Sequence, residues 1–531
     1  MSNRMHVLTL PADACPAGHA SPCIKFEARV VLACVHIPSP AWRCQGVFLH
    51  QPAIISRLIS GTGSSPSQPT FDRRVVVMKS TFLSFLGVAV TMASMALATN
   101  VRDTRGSISV RHGGSKRSGT NFEDLEQMGE QMAARANLNL RFNYGRDMIR
   151  GVGIGGWLVI EDFISPSIYE KAGDDRVIDE WSFGKYVPKE KAKRILKNHY
   201  DNFITEEDFK EIASYGLNHV RISFPYWGIR TWGDEPYVTL NQYDKLKEAA
   251  HWAAKYNLKM IIELHTVPGG ANPYDHGGHT GHFDWLNEQK YEDRWLEILD
   301  ELVSEFSQSK YPAVSGISMV NEPNGDANKI YGRYKKGYNT VRNSESDSDL
   351  IILIGDVFLN PAENDFWHSR FQPPKYQNVM TDTHVYRMFD PNSIRLSPHD
   401  RIQSYCNMKS GFAEANKHLW ALVGEWSPAV TDCAPGLNGR FKGARYDGSF
   451  GDSDYIGSCE GKTGNAKHFS ESYKRFLKKS WEAQVDTYEA GSGWIMWTWR
   501  TEHHNADDWS YRQGVRHGWI PKDPTQREFK C

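Results

Sequence analysis

The sequence predicts an α/β fold, a (β/α)8 TIM barrel built as a single catalytic domain with long rim loops, and three observations carry that expectation. From residue 148 onward, short β-rich runs alternate with amphipathic helical stretches. Several of the runs, such as Ile351-Ile352-Leu353-Ile354, are continuously apolar, as strands buried on both faces should be. The runs number eight, and nearly all end in a polar or aromatic side chain, where a parallel barrel gathers its functional groups.

Taken in order, the expected strands are Ile149–Ile160, His219–Phe224, Lys259–His265, Val314–Asn321, Leu350–Gly355, Val379–Tyr386, Leu422–Trp426 and Gly493–Trp499. Helical periodicity fills the intervals at Glu206–Tyr215, Tyr243–Tyr256, Tyr291–Phe306, Asp400–His418 and Phe469–Tyr488. The first run contains Gly151, Gly153 and Gly156, which satisfy a G-x-G-x-x-G dinucleotide pattern and raise a doubly wound open sheet as the alternative. That chemistry needs a helix to open at the glycines, so that its N-terminus meets a pyrophosphate. Here the chain continues into Trp157-Leu158-Val159-Ile160, another β-type run. The glycines are therefore read as packing and turning positions, and no cofactor is expected.

Two short motifs carry the chemistry. Asn321-Glu322-Pro323 closes one apolar run, and Gly424-Glu425-Trp426 closes another about a hundred residues later. Two carboxylates facing each other across a cleft are the minimal equipment for cleaving a glycosidic bond. The remaining strand ends offer Glu161, Arg221, His265, His384 with Tyr386, and Trp497 with Trp499, while the fifth ends at Asp356. His276-x-x-His279-x-x-His282 has a spacing that suggests a metal, but no carboxylate or cysteine pattern completes such a site, so none is expected.

Across residues 146–531 these pieces, in order, resemble glycoside hydrolase family 5, and within it the fungal exo-β-1,3-glucanases. The matching stretches are Arg150-Gly151-Val152 through Gly155-Gly156-Trp157, Val220-Arg221-Ile222, Leu264-His265 with Pro268-Gly269, Asn321-Glu322-Pro323, His384-Val385-Tyr386, Gly424-Glu425-Trp426 and Trp497-Thr498-Trp499-Arg500-Thr501-Glu502. The resemblance implies Glu322 as general acid/base and Glu425 as nucleophile in a retaining double displacement. Glu322 should then start protonated, its pKa raised by apolar surroundings and by the field of Glu425. Arg221 and Tyr386 are the expected donors to Glu425. Asn321 is expected on the sugar 2-hydroxyl, His384 beside Glu322, and His265 with Glu161 on the terminal sugar. Trp497 is the expected platform and Trp499 the expected core residue. Tyr274 and Phe389 are expected to clamp a sugar at the entrance.

The stretch Asn272-Pro273-Tyr274-Asp275-His276 departs from the family's usual Asn-Gly-Phe-Asp-Asn, placing His276 where an asparagine would touch substrate. The departure bears on linkage and on exo action. Endo action, a β-1,6 preference and a non-catalytic glucan-binding barrel are the competing readings.

A formal net charge of −1 gives no reason to expect nucleic acid or an anionic membrane as partner. The 17 Trp and 23 Tyr suit stacking on sugar rings, though cores use them too. A β-glucan polysaccharide and a monomeric enzyme are the expectation. Ser80 to Asn100 is uncharged, follows Met78-Lys79 and contains Ala96-Leu97-Ala98, the pattern of a secretory signal over 78–98. Residues 1–77, with Cys15, Cys23, Cys34 and Cys44 but no clear helical or strand period, read as an upstream extension absent from the mature protein. The polar stretch 99–145, with the dibasic Lys116-Arg117, reads as a pro-segment or linker. An uncleaved anchor over 80–100 in a type II membrane protein is the alternative to secretion into the extracellular space or cell wall. In a secreted chain the four cysteines after residue 145 should form two disulfides, with Cys433–Cys459 and Cys406–Cys531 the expected choice among three connectivities. Terminal sequencing of the secreted protein should find a start beyond residue 98; recovery of Cys15 or Cys23 in it would overturn the signal assignment.

Overall fold

The structure, a computed structural model, describes residues 142–346 and 349–531 together with three short strands nearer the N-terminus. Those strands, β1 (His6–Val7), β2 (Val31–His36) and β3 (Trp42–Val47), pair antiparallel in a sheet of order β1-β2-β3. They belong to a unit, Met1–Arg111, distinct from the unit His112–Cys531. The sequence reading assigned no strand there, because Val31-Leu32-Ala33-Cys34-Val35 is apolar without alternation. A short apolar run can pair as a hairpin without showing a period of two. The expected signal over 78–98 and the linker up to residue 141 lie outside the described residues. Among the described residues no helix is long and apolar enough to cross a membrane.

Eight parallel strands close a barrel: β4 (Ile149–Ile154), β5 (His219–Pro225), β6 (Lys259–Thr266), β7 (Val314–Ser318), β8 (Ile351–Gly355), β9 (Val379–Val385), β10 (Trp420–Trp426) and β11 (Gly493–Met496). Each pairs with the next in sequence, and β11 closes onto β4 with Gly493 opposite Ile149. Three strands stop earlier than the sequence suggested. β4 leaves the ladder at Ile154, β7 at Ser318 and β11 at Met496. The residues beyond keep isolated strand-like bonds, such as Asn321 N to Leu264 O at 2.9 Å, and turn over the rim. Functional side chains thus sit on the extensions of strands, where the backbone is free to bend.

The helices lie outside the barrel, and most bury one stripe, whereas Glu471–Tyr488 is buried on every side from Ser480 onward. Helix Gln289–Phe306 turns Trp295, Ile298, Leu299, Leu302, Val303 and Phe306 inward, the i, i+3, i+4, i+7 spacing of an amphipathic face. Burial of each such side chain contributes about 1.5–3 kcal/mol. Capping fixes where several begin: Asp326 accepts from Lys329 N ahead of Ala327–Ser344, and Ser470 from Tyr473 N ahead of Glu471–Tyr488. The single expected helix over 400–418 is two, Pro398–Cys406 and Lys409–His418, broken at Asn407-Met408.

Inside the barrel, Ile149, Ile261, Ile351, Leu353, Met380, Leu422 and Ile495 form a buried layer, with Phe142, Tyr144 and Trp420 packed against it. The Tyr144 hydroxyl donates to Ser315 Oγ at 2.6 Å and lies 3.0 Å from His219 Nε2. Phe142 and Tyr144 are therefore part of the packed domain, although they fall inside the stretch read from sequence as linker up to residue 145. Glycine is required at two points near the opposite rim. A Cβ at Gly153 or Gly155 would come within 2.6 or 2.4 Å of the Trp497 ring, so these glycines seat that indole. This is the packing role that the sequence reading assigned to them in place of a dinucleotide site.

The cysteine bonds are Cys406–Cys531, spanning 125 residues, and Cys433–Cys459, spanning 26. The first ties the chain end to the barrel, where Cys531 N also donates to Asp486 Oδ2 at 2.9 Å. Replacing both Cys406 and Cys531 by serine should cost about 2–4 kcal/mol, read as a lower urea midpoint. An unchanged midpoint would show that the polar contacts alone hold the terminus.

Candidate active site

Arg221 on β5 is completely buried, and its guanidinium is the hub of the rim. Nη1 donates to Glu425 Oε1 at 2.6 Å, and Nη2 donates to Asn321 Oδ1 at 3.1 Å. Glu263 and Asp382 each approach Nη2 at 3.6 Å. Burial alone would lower the arginine pKa, but Glu263, Glu425 and Asp382 together drive it upward, so the cation is permanent. The Tyr386 hydroxyl donates to the other oxygen of Glu425 at 3.0 Å. Both donors expected for Glu425 are therefore in place. At the preceding residue, a Cβ on Gly424 would fall 1.7 Å from Asp382 Oδ1, so only glycine lets that side chain cross toward Arg221.

Glu322 follows β7 in the left-handed region, at φ +42°, a conformation that costs a non-glycine residue on the order of 1–3 kcal/mol. Its Oε1 lies 2.7 Å from His384 Nδ1, and its Oε2 lies 3.4 Å from His276 Nε2. His384 stands between the two glutamates, with Nδ1 3.5 Å from Glu425 Oε2. Ligating atoms of Glu322, His384 and Glu425 all lie within 4.8 Å of one another. Among the described residues this is also the one trio close enough to hold a metal ion, but its atoms already pair with each other and with Arg221.

The protonation of Glu322 is the reverse of the sequence expectation. Burial raises its pKa, but the hydrogen bond and charge of His384, with the charges of His276 and His265, outweigh that and lower it to about 2. Burial pulls His384 down, yet Glu425, Asp382 and Glu322 hold it well above its usual value. The pair shares one proton, and in the free site it rests on His384. Sequence reasoning counted apolar surroundings and Glu425 and set His384 beside the acid; it could not count His265 and His276 converging there as well, one from a strand end and one from a loop.

His265 lies beside Glu263, Nδ1 to Oε2 at 2.9 Å. Burial opposes its charge, but chiefly Glu263 raises it to about 8. Glu161 is buried, which raises its pKa to about 8 against the pull of His265. Glu161 Oε1, His265 Nε2 and Asn321 Nδ2 are all buried and find no partner among the described residues. Trp497 lies parallel to His265 (4° between planes, centroids 5.8 Å apart). His265 in turn meets His276 at 5.3 Å, and His276 meets Tyr274 at 5.4 Å. An aromatic wall therefore runs from the rim, where Tyr274 is 45% exposed, down to Trp497, 4% exposed. Trp499 is core, its indole N–H bonded to Asp208. Phe389 is 37% exposed and meets the Tyr386 ring edge-on at 5.5 Å. Asp356 faces Thr383 and the Phe358 N–H, a structural bond away from the cleft. His279 stacks on Trp181 and meets the His282 ring at 5.1 Å, and His282 pairs with Asp284, while His276 turns to Glu322, so the three histidines of the spaced motif do not share one site.

Glu263 and Asp382 were missed from sequence. A signal existed: each sits two residues before a rim histidine, on the same face of its strand, Glu263 as a charge inside an apolar run and Asp382 between two threonines. Arg221→Met should remove the shared counterion of three carboxyls, abolish turnover and destabilise the fold by about 3–5 kcal/mol in chemical denaturation. An unchanged midpoint would show that the hub is not what holds these groups together.

Residues 187–434 match the profile of Cellulase (glycosyl hydrolase family 5). The glucan 1,3-beta-glucosidase of Pichia angusta is 37% identical over 400 residues, 73% of this chain and 89% of that protein. A protein of the same name from Blumeria graminis is 37% identical over 397 residues, 73% of this chain and 90% of its own. Among solved structures, a rutinosidase from Aspergillus niger superposes with a TM-score of 0.55 over 71% of this chain and 99% of its own, at 19% identity, a likeness of fold. By the extent and identity of these alignments, the chain belongs to glycosyl hydrolase family 5.

Proposed function

We propose that this protein is a retaining, exo-acting glucan 1,3-β-glucosidase, with Glu425 as nucleophile and Glu322 as general acid/base. The observation that carries the reading is the carboxylate pair, with one oxygen of each within 4.8 Å of one of the other. Inverting enzymes leave about 6.5–9.5 Å between the two carboxyls to admit a water, whereas retaining ones hold them at about 5–5.5 Å. The name of the relatives, glucan 1,3-beta-glucosidase, supports the linkage and the glucose product.

Each residue then has a step. Arg221 and Tyr386 stabilise negative charge on Glu425 and aim it at the anomeric carbon. The leaving oxygen is protonated by the form of the Glu322–His384 pair in which the shared proton has passed to Glu322. In the second half, Glu322 takes a proton from water, which attacks the glycosyl ester and restores Glu425. Asn321, His265 and Glu161 bind hydroxyls of the terminal glucose, which would satisfy their unpartnered buried atoms. Trp497 is the platform beneath that sugar, and Tyr274 with Phe389 guide the next unit at the entrance. The signal-like stretch before residue 98 supports action outside the cell, on wall or storage glucan. The altered loop at His276 favours endo or β-1,6 action as the second reading.

Proton NMR of the first minutes of laminarin digestion should show β-glucose alone, with mutarotation later. Early α-glucose would overturn retention, and early oligosaccharides would overturn exo action. Glu425→Gln should abolish turnover. Glu322→Ala should lose about 10²–10⁴-fold on laminaribiose, far less on a dinitrophenyl glucoside, and form β-glucosyl azide with azide present.

A further inference from the structure

The loop after β6 delivers a second imidazole to Glu322, and its shape is tightly held. Asn272 is buried, accepts from Tyr274 N at 3.1 Å through Oδ1, and reaches Glu322 O at 3.4 Å through Nδ2. A one-turn 3-10 segment, Asp275–Gly277, follows, and Gly278 O accepts from Trp181 N at 2.9 Å. At Gly278 a Cβ would meet Trp227 at 2.4 Å, which pins the loop against the barrel. His276 therefore arrives at the acid on a supported backbone. Its Nε2 lies 3.4 Å from Glu322 Oε2, while its Nδ1 is buried without a partner among the described residues.

The two imidazoles have different stations. His384 holds Oε1 and also faces Glu425, so it lies on the nucleophile's side. His276 Nε2 lies 3.4 Å from the other oxygen, and its ring stands in the aromatic wall between Tyr274 at the rim and His265 deeper in, on the side a departing sugar would take. We propose that His276 is a positioning residue for Glu322: from the leaving-group side it fixes Oε2 and makes the Glu322–His384 pair give up its proton at lower pH. This rests on the reading of Glu322 as the acid. The other groups facing the pair are Glu425 from β10, Asp382 and Tyr386 from β9 and its extension, Arg221 from β5, His265 from β6, and Tyr274 with Asp275 from the loop itself. Of the imidazoles among them, His276 alone comes from a loop, at a position this sequence changes. A donor or cation at Oε2 favours the carboxylate. Its removal leaves the proton on the pair to higher pH.

The test compares kcat/KM against pH for two substrates. Laminaribiose has a leaving group that needs protonation; 2,4-dinitrophenyl β-glucoside has one that does not. In His276→Asn, too short to reach Oε2, the alkaline limb on laminaribiose should move up by about 0.5–1 pH unit, with the dinitrophenyl profile unchanged. His276→Ala should give the same shift, so that poor folding of one variant leaves the other to decide. An unmoved limb, or an equal change on both substrates, would overturn the proposal. A parent enzyme that cleaves neither substrate would instead overturn the glucosidase reading itself.

Discussion

The structure of the rim depends on one buried positive charge. A guanidinium with no solvent contact is tolerable only if carboxylates surround it, and Arg221 has Glu425, Glu263 and Asp382. Those partners come from three other strands, so neutralising the arginine fixes their relative positions. The nucleophile candidate is aimed by the same contacts that make the arginine affordable. Asn321, on the fourth of Arg221's close partners, is the residue before Glu322, so the second carboxylate inherits its place from the same hub.

Around that hub the site separates two electrostatic tasks. Glu425 receives donors of fixed position, an arginine and a phenol. Glu322 receives imidazoles, groups that can give a proton as well as stabilise a charge. The difference suits a carboxylate that must bond to carbon on one side and one that must exchange protons on the other. Between them, His265 belongs to both sets: it is charged by Glu263, shields Glu322 and stacks on Trp497. Sugar binding and proton placement therefore share a wall.

The barrel was legible because eight buried parallel strands leave continuous apolar runs, as Ile351-Ile352-Leu353-Ile354 does. Glu322 and Glu425 were legible because each ends such a run. Strand ends were less so, since a rim extension like Met319-Val320-Asn321 looks like strand in sequence and differs only in its hydrogen bonds. The break at Asn407-Met408 has no glycine or proline to announce it. The protonation of Glu322 was read in the wrong direction because it depends on which side chains meet across the barrel. Glu263 and Asp382 were passed over for the same reason: a charge within a strand acquires meaning only when its counterion is known.

The floor of the barrel sets a limit on how far the chain can be shortened. Phe142 and Tyr144 cover the innermost apolar layer, and Tyr144 ties down Ser315 on the neighbouring strand wall. A truncation ending upstream of Phe142 keeps this cover, whereas one at the first strand residue, Ile149, would strip two of the three rings packed against that layer and remove the aromatic neighbours of His219. Any expression boundary drawn at the first β-strand would thus yield a leaky barrel, although every residue at the opposite rim is still present. Among the described residues, the domain's lower end includes two aromatic rings that belong to no helix or strand.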